Sequence, residues 1–382
     1  MRLAVLVAGL LVASACASGG DDAASEPTST TAAASTVTQG STPAAECDPA
    51  DPASCTLREL ADRRGILIGA AVAGGPLADE PLYAETLATE FNSLTPEGAY
   101  KWPATEPEPG AYTWDSADAI SAFAADNDMG IRGHTLVWPN SASAQLYTIV
   151  PDYVYASPDA ETMQQHIDDH IEAVVTRYAD VTDRWDVVNE PLLTGGDALD
   201  PNPLTETLGE EWIVRAFQQT RELDPDADLY VNEVLTEQPG PKHDALMALV
   251  QRLVDAGAPI DGVGLQGHFL AGAPTREELE TVLRDWEALG LQVAITELDI
   301  PTPDGDAEAQ AAQYADVVEA CLASEACVEI TLWGFTDAHS WLNDFLGPGW
   351  APLLFDADYE PKPSYHAVAE ALSGAGSGDP GG

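Results

Sequence analysis

The sequence predicts a (β/α)8 barrel, and three features of the chain support this fold. Short apolar runs recur eight times, most of them are separated by stretches with helical periodicity, and most of them end in polar residues. Eight strand-helix units are the number that a closed parallel barrel requires, with an active site where the strands end. A doubly wound open sheet is the alternative, but no glycine-rich phosphate loop follows an early run.

The apolar runs predict the strands in order. They are GILIGAAVA, FNSLTPE, GIRGHTLVW, RWDVVNEP, DLYVNEV, GVGLQGHF, LQVAITELDI and EITLWGFTDA. Between them, AETMQQHIDDHIEAVVTRY (160–178) and REELETVLRDWEALG (276–290) place apolar residues three and four apart, as an amphipathic helix does. The alternation of strands and helices therefore favours a single catalytic domain built on one barrel.

The two ends of the chain differ in composition from this domain. One basic residue and a short apolar stretch begin the chain, which predicts export to the cell surface or the extracellular medium. The stretch ASAC at 13–16 resembles a bacterial lipoprotein signal with Cys16 as the lipidated residue; ordinary signal cleavage nearby is the alternative. The predicted segments are an export signal (1–16), a disordered tether rich in Ala, Ser and Thr (17–45), the barrel domain (46–372) and a flexible tail (373–382).

The charge of the chain limits its partners. Sixty-four acidic residues face fifteen Lys and Arg, for a formal net charge of -49. The electrostatic field of such a strongly negative chain repels nucleic acid and anionic membrane surfaces. We therefore expect no nucleic-acid partner, contact with a membrane only through a lipid on Cys16, and a monomer.

The cysteines fit an exported protein. Setting Cys16 aside leaves two pairs that are close in sequence, and the simplest pairing is Cys47 with Cys55 and Cys321 with Cys327. A zinc site is the alternative, but neither pair has the tight two-residue spacing of most zinc motifs.

Polar residues close most of the predicted strands. In a barrel these ends converge, so residues far apart in sequence become neighbours in one cleft. Within RWDVVNEP, period-two alternation would place Asp186, Val188 and Glu190 on one side of the strand. The polar residues at or near the strand ends are Glu97, His134, Trp138, Asn189, Glu190, Asn232, Glu233, Gln266, His268, Glu297, Asp299 and Trp333.

Two of these carboxylates suit the cleavage of a sugar chain. Glycoside hydrolysis needs one carboxyl group to protonate the leaving oxygen and another to attack or stabilise the anomeric carbon, at about 5 to 5.5 Å in retaining enzymes. Glu190 is the candidate acid and Glu297 the candidate nucleophile. His268 and Asp299 could orient Glu297, and Asn189 could bond a sugar hydroxyl beside the cleaved bond.

A possible metal motif occurs in the first of the two predicted helices named above. HIDDH places His166 and His170 four residues apart on one helix face. The metalloprotease pattern requires glutamate directly after the first histidine, and Ile167 occupies that position. Ordinary helix-surface and helix-core roles are therefore favoured, and no metal is expected.

Several ordered motifs resemble glycoside hydrolase family 10, the endo-β-1,4-xylanases. They are FNSLTPEGAYKW, RGHTLVW, WDVVNEPL, GVGLQGHF, ITELDI, LWGFTDAHSWL and the closing PLLFDADYEPKPSYHAV, and the resemblance runs from about Leu57 to Leu372. It implies a retaining barrel enzyme that cleaves xylan or a related β-glycan, without metal or organic cofactor.

The resemblance also implies roles for individual residues. Glu190 would be the acid/base and Glu297 the nucleophile, while Glu97 and Lys101 would hold the sugar on the non-reducing side of the cut. Trp333 and Trp341 would form the wall and roof of the cleft. Cys321 and Cys327 match a disulfide near the eighth strand of family members.

Three positions depart from the family pattern. Pro139 replaces a histidine that bonds the sugar, Gly98 replaces an asparagine, and Val234 removes a tyrosine from the leaving-group side. Because the acid and nucleophile positions are intact, an endo-xylanase is the predicted function. A glycosidase of changed specificity, a glycan-binding lipoprotein without turnover and a metal-dependent barrel hydrolase remain the alternatives.

Overall fold

Eight parallel strands close into a barrel in chain order in the part of the chain that this computed structural model describes, residues 47–302 and 305–374. Each strand pairs with its neighbours in sequence, and β8 closes onto β1 with Leu67 opposite Glu329. The predicted barrel is confirmed, whereas the predicted export signal, the tether, Cys16 and residues 375–382 lie outside the described residues. The strands are β1 Leu67–Val72, β2 Ser93–Pro96, β3 Gly130–Val137, β4 Arg184–Asn189, β5 Asp228–Glu233, β6 Gly262–Leu265, β7 Gln292–Leu298 and β8 Cys327–Leu332.

Helices surround this barrel, and most of them bury one face. No described helix is long and apolar enough to cross a membrane. The helices are α1 Leu57–Arg64, α2 Gly74–Asp79, α3 Pro81–Glu90, α4 Trp102–Thr105, α5 Asp115–Asp126, α6 Asp152–Tyr155, α7 Ala160–Tyr178, α8 Pro203–Leu208, α9 Glu211–Leu223, α10 Pro241–Asp255, α11 Arg276–Ala288, α12 Ala307–Leu322, α13 Trp341–Leu346 and α14 Pro363–Ser373.

Helix α11 shows how the sequence specifies these elements. The Thr275 hydroxyl accepts a hydrogen bond from the Glu278 backbone, and the Glu278 carboxylate accepts one from the Thr275 backbone, which forms a capping box. The helix ends two residues before Gly290, which has a left-handed φ of 73°. Its buried face consists of Leu279, Val282, Leu283 and Trp286.

The two histidines of HIDDH lie on α7 and contact aromatic rings. His170 stacks on Trp102 with ring centroids 4.2 Å apart and shares a 3.1 Å hydrogen bond with the Leu136 carbonyl. His166 packs edge-on against Tyr153 at 5.0 Å. Both rings thus make the protein contacts expected of helix-core and helix-surface residues.

The barrel domain contains two disulfides, with the pairing that the sequence predicts. Cys47–Cys55 lies just before α1, and Cys321–Cys327 joins the end of α12 to the start of β8. Cys47, Cys55 and Glu59 also form the one described group with metal-ligand spacing. Because both thiols are consumed in the disulfide, they cannot ligate a metal as thiolates.

A cluster of charged side chains fills part of the barrel interior. Arg132 on β3 bonds Asp186 on β4 at 2.7 Å and Glu329 on β8 at 2.5 Å, and all three side chains are fully buried. Arg184 approaches the same Glu329 carboxylate at 3.6 Å. The arginines lower the pKa of Glu329 to about 2 although its burial alone would raise the value. The cluster therefore ties β3, β4 and β8 together across the interior.

Arg132→Ala is expected to lower the free energy of unfolding by about 3 to 5 kcal/mol, because two buried carboxylates lose their main cation. Urea unfolding measures the change. The matched control is Arg177→Ala, which breaks an exposed pair with Asp118 and should cost at most about 1 kcal/mol. Equal losses in the two variants would contradict a special role for the interior cluster.

Candidate active site

A cavity of about 680 Å³ opens at the carboxyl ends of the strands. Eleven residues that the sequence singles out for catalysis or sugar binding line it, although they come from strands and loops spread over more than two hundred positions. They are Glu97, Lys101, His134, Trp138, Asn189, Glu190, Gln266, His268, Glu297, Trp333 and Trp341. Their convergence follows from barrel closure, and their individual roles remain predictions.

Glu297, on β7, is almost completely buried, with 4% of its surface exposed. Asn232 at the end of β5 donates a 2.6 Å hydrogen bond to Oε1, and the His268 ring lies 3.2 Å from Oε2. Burial alone would raise the pKa of Glu297, but the positive charges of His134, His268 and Lys101 lower it to about 2. The carboxylate is therefore ionised at any pH at which the protein would work.

A hydrogen-bond chain behind Glu297 fixes His268. The Nδ1 atom of His268 lies 2.9 Å from the Asp299 carboxylate, which also accepts a 2.7 Å hydrogen bond from the Trp341 indole. Burial would lower the pKa of His268, but Asp299 and Glu297 raise it well above the ordinary value. The imidazolium can then donate from both nitrogens, so the predicted chain of Glu297, His268 and Asp299 is present in the structure.

Glu190 lies just beyond the end of β4, and period-two alternation fails there. The register of β4 shifts between Asp186 and Val188, and Glu190 has a left-handed φ of 52°. As a result Asn189 and Glu190 line the same cavity. Asp186 is fully buried against Arg132 and His134, and it does not line the cavity with Glu190.

The Glu190 carboxylate accepts hydrogen bonds on both oxygens. Ser143 donates to Oε2 at 2.9 Å, and the Gln266 amide donates to Oε1 at 3.2 Å. The same Gln266 nitrogen lies 3.3 Å from the Asn189 oxygen, which accepts a 2.8 Å hydrogen bond from Asn232. Since Asn232 also donates to Glu297, one amide chain connects the two carboxylates.

One cationic and one acidic residue, Lys101 and Glu97, also line the cavity. Lys101 lies 4.9 Å from the Trp138 ring centroid and 5.5 Å from that of Trp333. Burial lowers the pKa of Lys101, while Glu297, Glu97 and Glu190 oppose this effect. Burial raises the pKa of Glu97, with Lys101 opposing.

The His134 side chain contacts the charged cluster of the barrel interior. Its Nδ1 atom lies 2.9 Å from Asp186, and its ring meets Trp333 edge-on at 5.1 Å. Asp186 therefore bonds His134 at the floor of the cavity and Arg132 beneath it.

Two residues contact the carboxylates without a role assigned to them from the sequence. Asn232 is among the strand-end residues expected in the cleft, because it closes β5 in the way that Asn189 closes β4. Ser143 is not predicted in the cleft, because it lies in an irregular loop after β3 where no periodicity applies. The Asn140 side chain holds this loop by accepting hydrogen bonds from the backbones of Ala142 and Ser143, both at 3.0 Å.

The departures from the family pattern lie in or near this cavity. Val234 lines it directly. A Cβ atom added at Gly98 would meet nothing within 4 Å, so the space that an asparagine would occupy there is open. Pro139 directly precedes Asn140, whose carboxamide bonds the loop that carries Ser143.

A closed barrel with two buried carboxylates and aromatic walls at its carboxyl end defines the class of barrel glycoside hydrolases. The sequence pattern of Glycosyl hydrolase family 10 matches residues 56–371. The chain therefore belongs to this family, as the motifs of its sequence indicate.

Relatives and solved structures agree with this assignment. Endo-1,4-beta-xylanase 1 of Humicola insolens is 36% identical over 335 residues, which cover 85% of this chain and 76% of that protein. The crystal structure of native xylanase 10B from Thermotoga maritima has a TM-score of 0.78 and 34% identity, and the match covers 84% of this chain and 98% of that one. Xylanase 10B from Thermotoga petrophila, solved in complex with xylobiose, also has a TM-score of 0.78, with 35% identity and the same coverage.

Lys101→Met is expected to raise the pKa of Glu297 above its value of about 2, because one of the three cations that oppose burial is lost. Carboxyl carbon chemical shifts followed by NMR as the pH is varied would report it. Lys242→Met is the matched control, because Lys242 pairs with Glu233 and is not one of the three cations that lower the pKa of Glu297. An unchanged Glu297 titration in Lys101→Met would contradict this electrostatic account.

Proposed function

We propose that the chain is a retaining endo-β-1,4-xylanase that cleaves internal bonds of xylan by double displacement. The observation that carries the proposal is the pair Glu190 and Glu297, both buried in one cavity and connected by a chain of amides, in a member of glycosyl hydrolase family 10. Relatives named endo-1,4-beta-xylanase support xylan as the substrate.

In the first step, the Glu297 carboxylate attacks the anomeric carbon while Glu190 donates a proton to the glycosidic oxygen. The bond to the leaving sugar breaks and a covalent glycosyl-enzyme forms. In the second step, Glu190 takes a proton from water, the water oxygen attacks the anomeric carbon, and the bond to Glu297 breaks. Two inversions at the same carbon leave its configuration unchanged.

The low pKa of Glu297 supports its role as nucleophile, since only the ionised carboxylate can attack. His268 and Asn232 hold its two oxygens, which leaves it one orientation toward the sugar. Asp299 acts indirectly, as a positioning residue for His268. The Asn189 oxygen is occupied by two amide donors, so its nitrogen is the group left to meet a sugar hydroxyl.

The remaining predicted residues bind the sugar chain. Glu97 and Lys101 offer charged hydrogen-bonding groups to hydroxyls on the non-reducing side of the cut. Trp333 and Trp341 provide flat apolar surfaces as wall and roof, and the other lining residues contact the sugar at the cleaved bond. These other residues are His134, Trp138, Gln266 and His268.

We also propose that the chain is exported and anchored by a lipid on Cys16, and that it acts as a monomer. The two disulfides support export, because such bonds persist in oxidising compartments. A polymeric substrate outside the cell requires an enzyme there.

The purified chain is expected to release short xylo-oligosaccharides from soluble xylan, with the β-anomer appearing first by proton NMR. Glu190→Ala should slow xylan cleavage by about 10² to 10⁴ through loss of proton transfer. Glu297→Ala should abolish turnover, while the exposed control Glu277→Ala should keep it.

Mixed-linkage glucan, cellulose and mannan serve as comparison substrates in the same product analysis. Product from one of these and none from xylan would overturn xylan as the substrate. An α-anomer released first would overturn the retaining mechanism, and no product from any glycan would favour a binding protein.

The lipid anchor predicts that Cys16→Ala loses a fatty-acid label that the native chain carries. Expression of the full chain in a bacterial host with an alkyne-tagged fatty acid would measure it, with Ser18→Ala as the control that keeps the label. A native chain that is exported without label would show ordinary signal cleavage instead.

A further inference from the structure

Exposed apolar side chains are concentrated in the active-site cavity. Ten large apolar side chains are strongly exposed among the described residues, and five of these line this one cavity. Of the rest, Leu346 directly follows Phe345, and Leu82, Val181, Val254 and Leu289 lie on other parts of the chain, as single exposed apolar residues usually do. The five are Leu146 (55% exposed), Tyr147 (48%), Leu235 (52%), Leu270 (40%) and Phe345 (44%).

The backbone conformation of Leu235 and the exposure of its side chain both cost free energy in the free protein. Its φ is 59°, in the left-handed region that glycine and asparagine tolerate and leucine does not. Half of its apolar side chain is also left in water, so packing does not compensate the backbone strain. A ligand that covered this side chain would remove the second cost.

The position of Leu235 assigns it to one half of the cavity. Val234 and Leu235 follow β5, the neighbour of the strand that ends at Glu190, and Leu270 follows β6. Glu97 and Lys101 lie across the barrel, after β2. Because the acid protonates the departing sugar, the half of the cavity beside β4 and β5 receives the leaving part of the chain. We call Val234, Leu235 and Leu270 the leaving-side wall.

The chemistry of the leaving-side wall restricts what it can bind. Aliphatic side chains make no hydrogen bonds, so they cannot bind the hydroxyl groups of xylan and offer only van der Waals contact with the apolar faces of its rings. Lys101 is the only Lys or Arg among the described lining residues, and it lies on the other side. With a chain charge of -49 as well, an anionic sugar substituent would find no counter-charge at the wall.

We infer that the leaving-side wall binds an aromatic acyl group carried as an ester on a xylan side chain, on the leaving-group side of the cut. A planar aromatic group is uncharged and large enough to contact Leu235 and Leu270, which come from two loops, whereas an acetyl ester presents a single methyl group. This inference rests on the proposed xylanase function and adds the substituent that the substrate carries.

The test compares two xylo-oligosaccharides with one backbone, of which one carries a hydroxycinnamoyl ester on an arabinosyl branch on the leaving-group side. The native chain is expected to cleave the ester with about fivefold higher kcat/KM, which corresponds to about 1 kcal/mol of added contact. Leu235→Asn should bring the ratio to about 1 and leave cleavage of the plain oligosaccharide unchanged. Asparagine suits this test because it tolerates the left-handed backbone.

Leu289→Asn is the matched control, because Leu289 is an exposed leucine outside the cavity, and it should keep the fivefold ratio. A ratio of 1 or less in the native chain, or a ratio that survives Leu235→Asn, would overturn the inference. An equal gain from an acetyl ester would overturn the aromatic assignment. If the native chain cleaved neither oligosaccharide, the proposed function would be overturned instead. In that case calorimetry of Glu297→Ala with the two compounds still tests the inference, and equal affinities would overturn binding of the ester by the leaving-side wall.

Discussion

The burial of an ionised Glu297 is the constraint on which the rest of the site depends. A carboxylate with 4% exposure is costly to ionise unless positive charges and donors surround it. Here the positive charges come from three elements: Lys101 after β2, His134 on β3 and His268 after β6. No local stretch of chain could bring them together, so ionisation of Glu297 depends on the folded barrel.

His268 and His134 each have an acidic partner that holds the ring in place, and these partners connect the site to the barrel core. His268 is held by Asp299, which is also bonded by Trp341. His134 is held by Asp186, and Asp186 is balanced by Arg132, which also bonds Glu329 on β8. The stability of the interior and the electrostatics of the cavity are thus parts of one network, although Arg132, Asp186 and Glu329 do not line the cavity.

The fold and most of the site could be predicted from the sequence because both follow simple rules. Short apolar runs mark the strands, and polar residues at strand ends mark most of the cleft. Lys101 and Trp341 do not end strands and were predicted only from the resemblance to the family. What could not be predicted depends on local irregularity: the register shift after Asp186 and the left-handed φ of Glu190 redirect side chains against the alternation. Ser143 was missed because its loop has no period, and its place beside Glu190 depends on hydrogen bonds to Asn140.

The two halves of the cavity are fixed by different means, and this affects how substrate preference can change. Glu297 is fixed by a strand and by charged partners, so a change at any of them alters its ionisation. The segment after Glu190 is held instead by Glu233, which accepts from the Leu192 backbone at 2.9 Å and pairs with Lys242 at 3.0 Å. The side chains of Val234 and Leu235 lie outside both networks. They can therefore vary in this part of the cavity without altering the ionisation of Glu297.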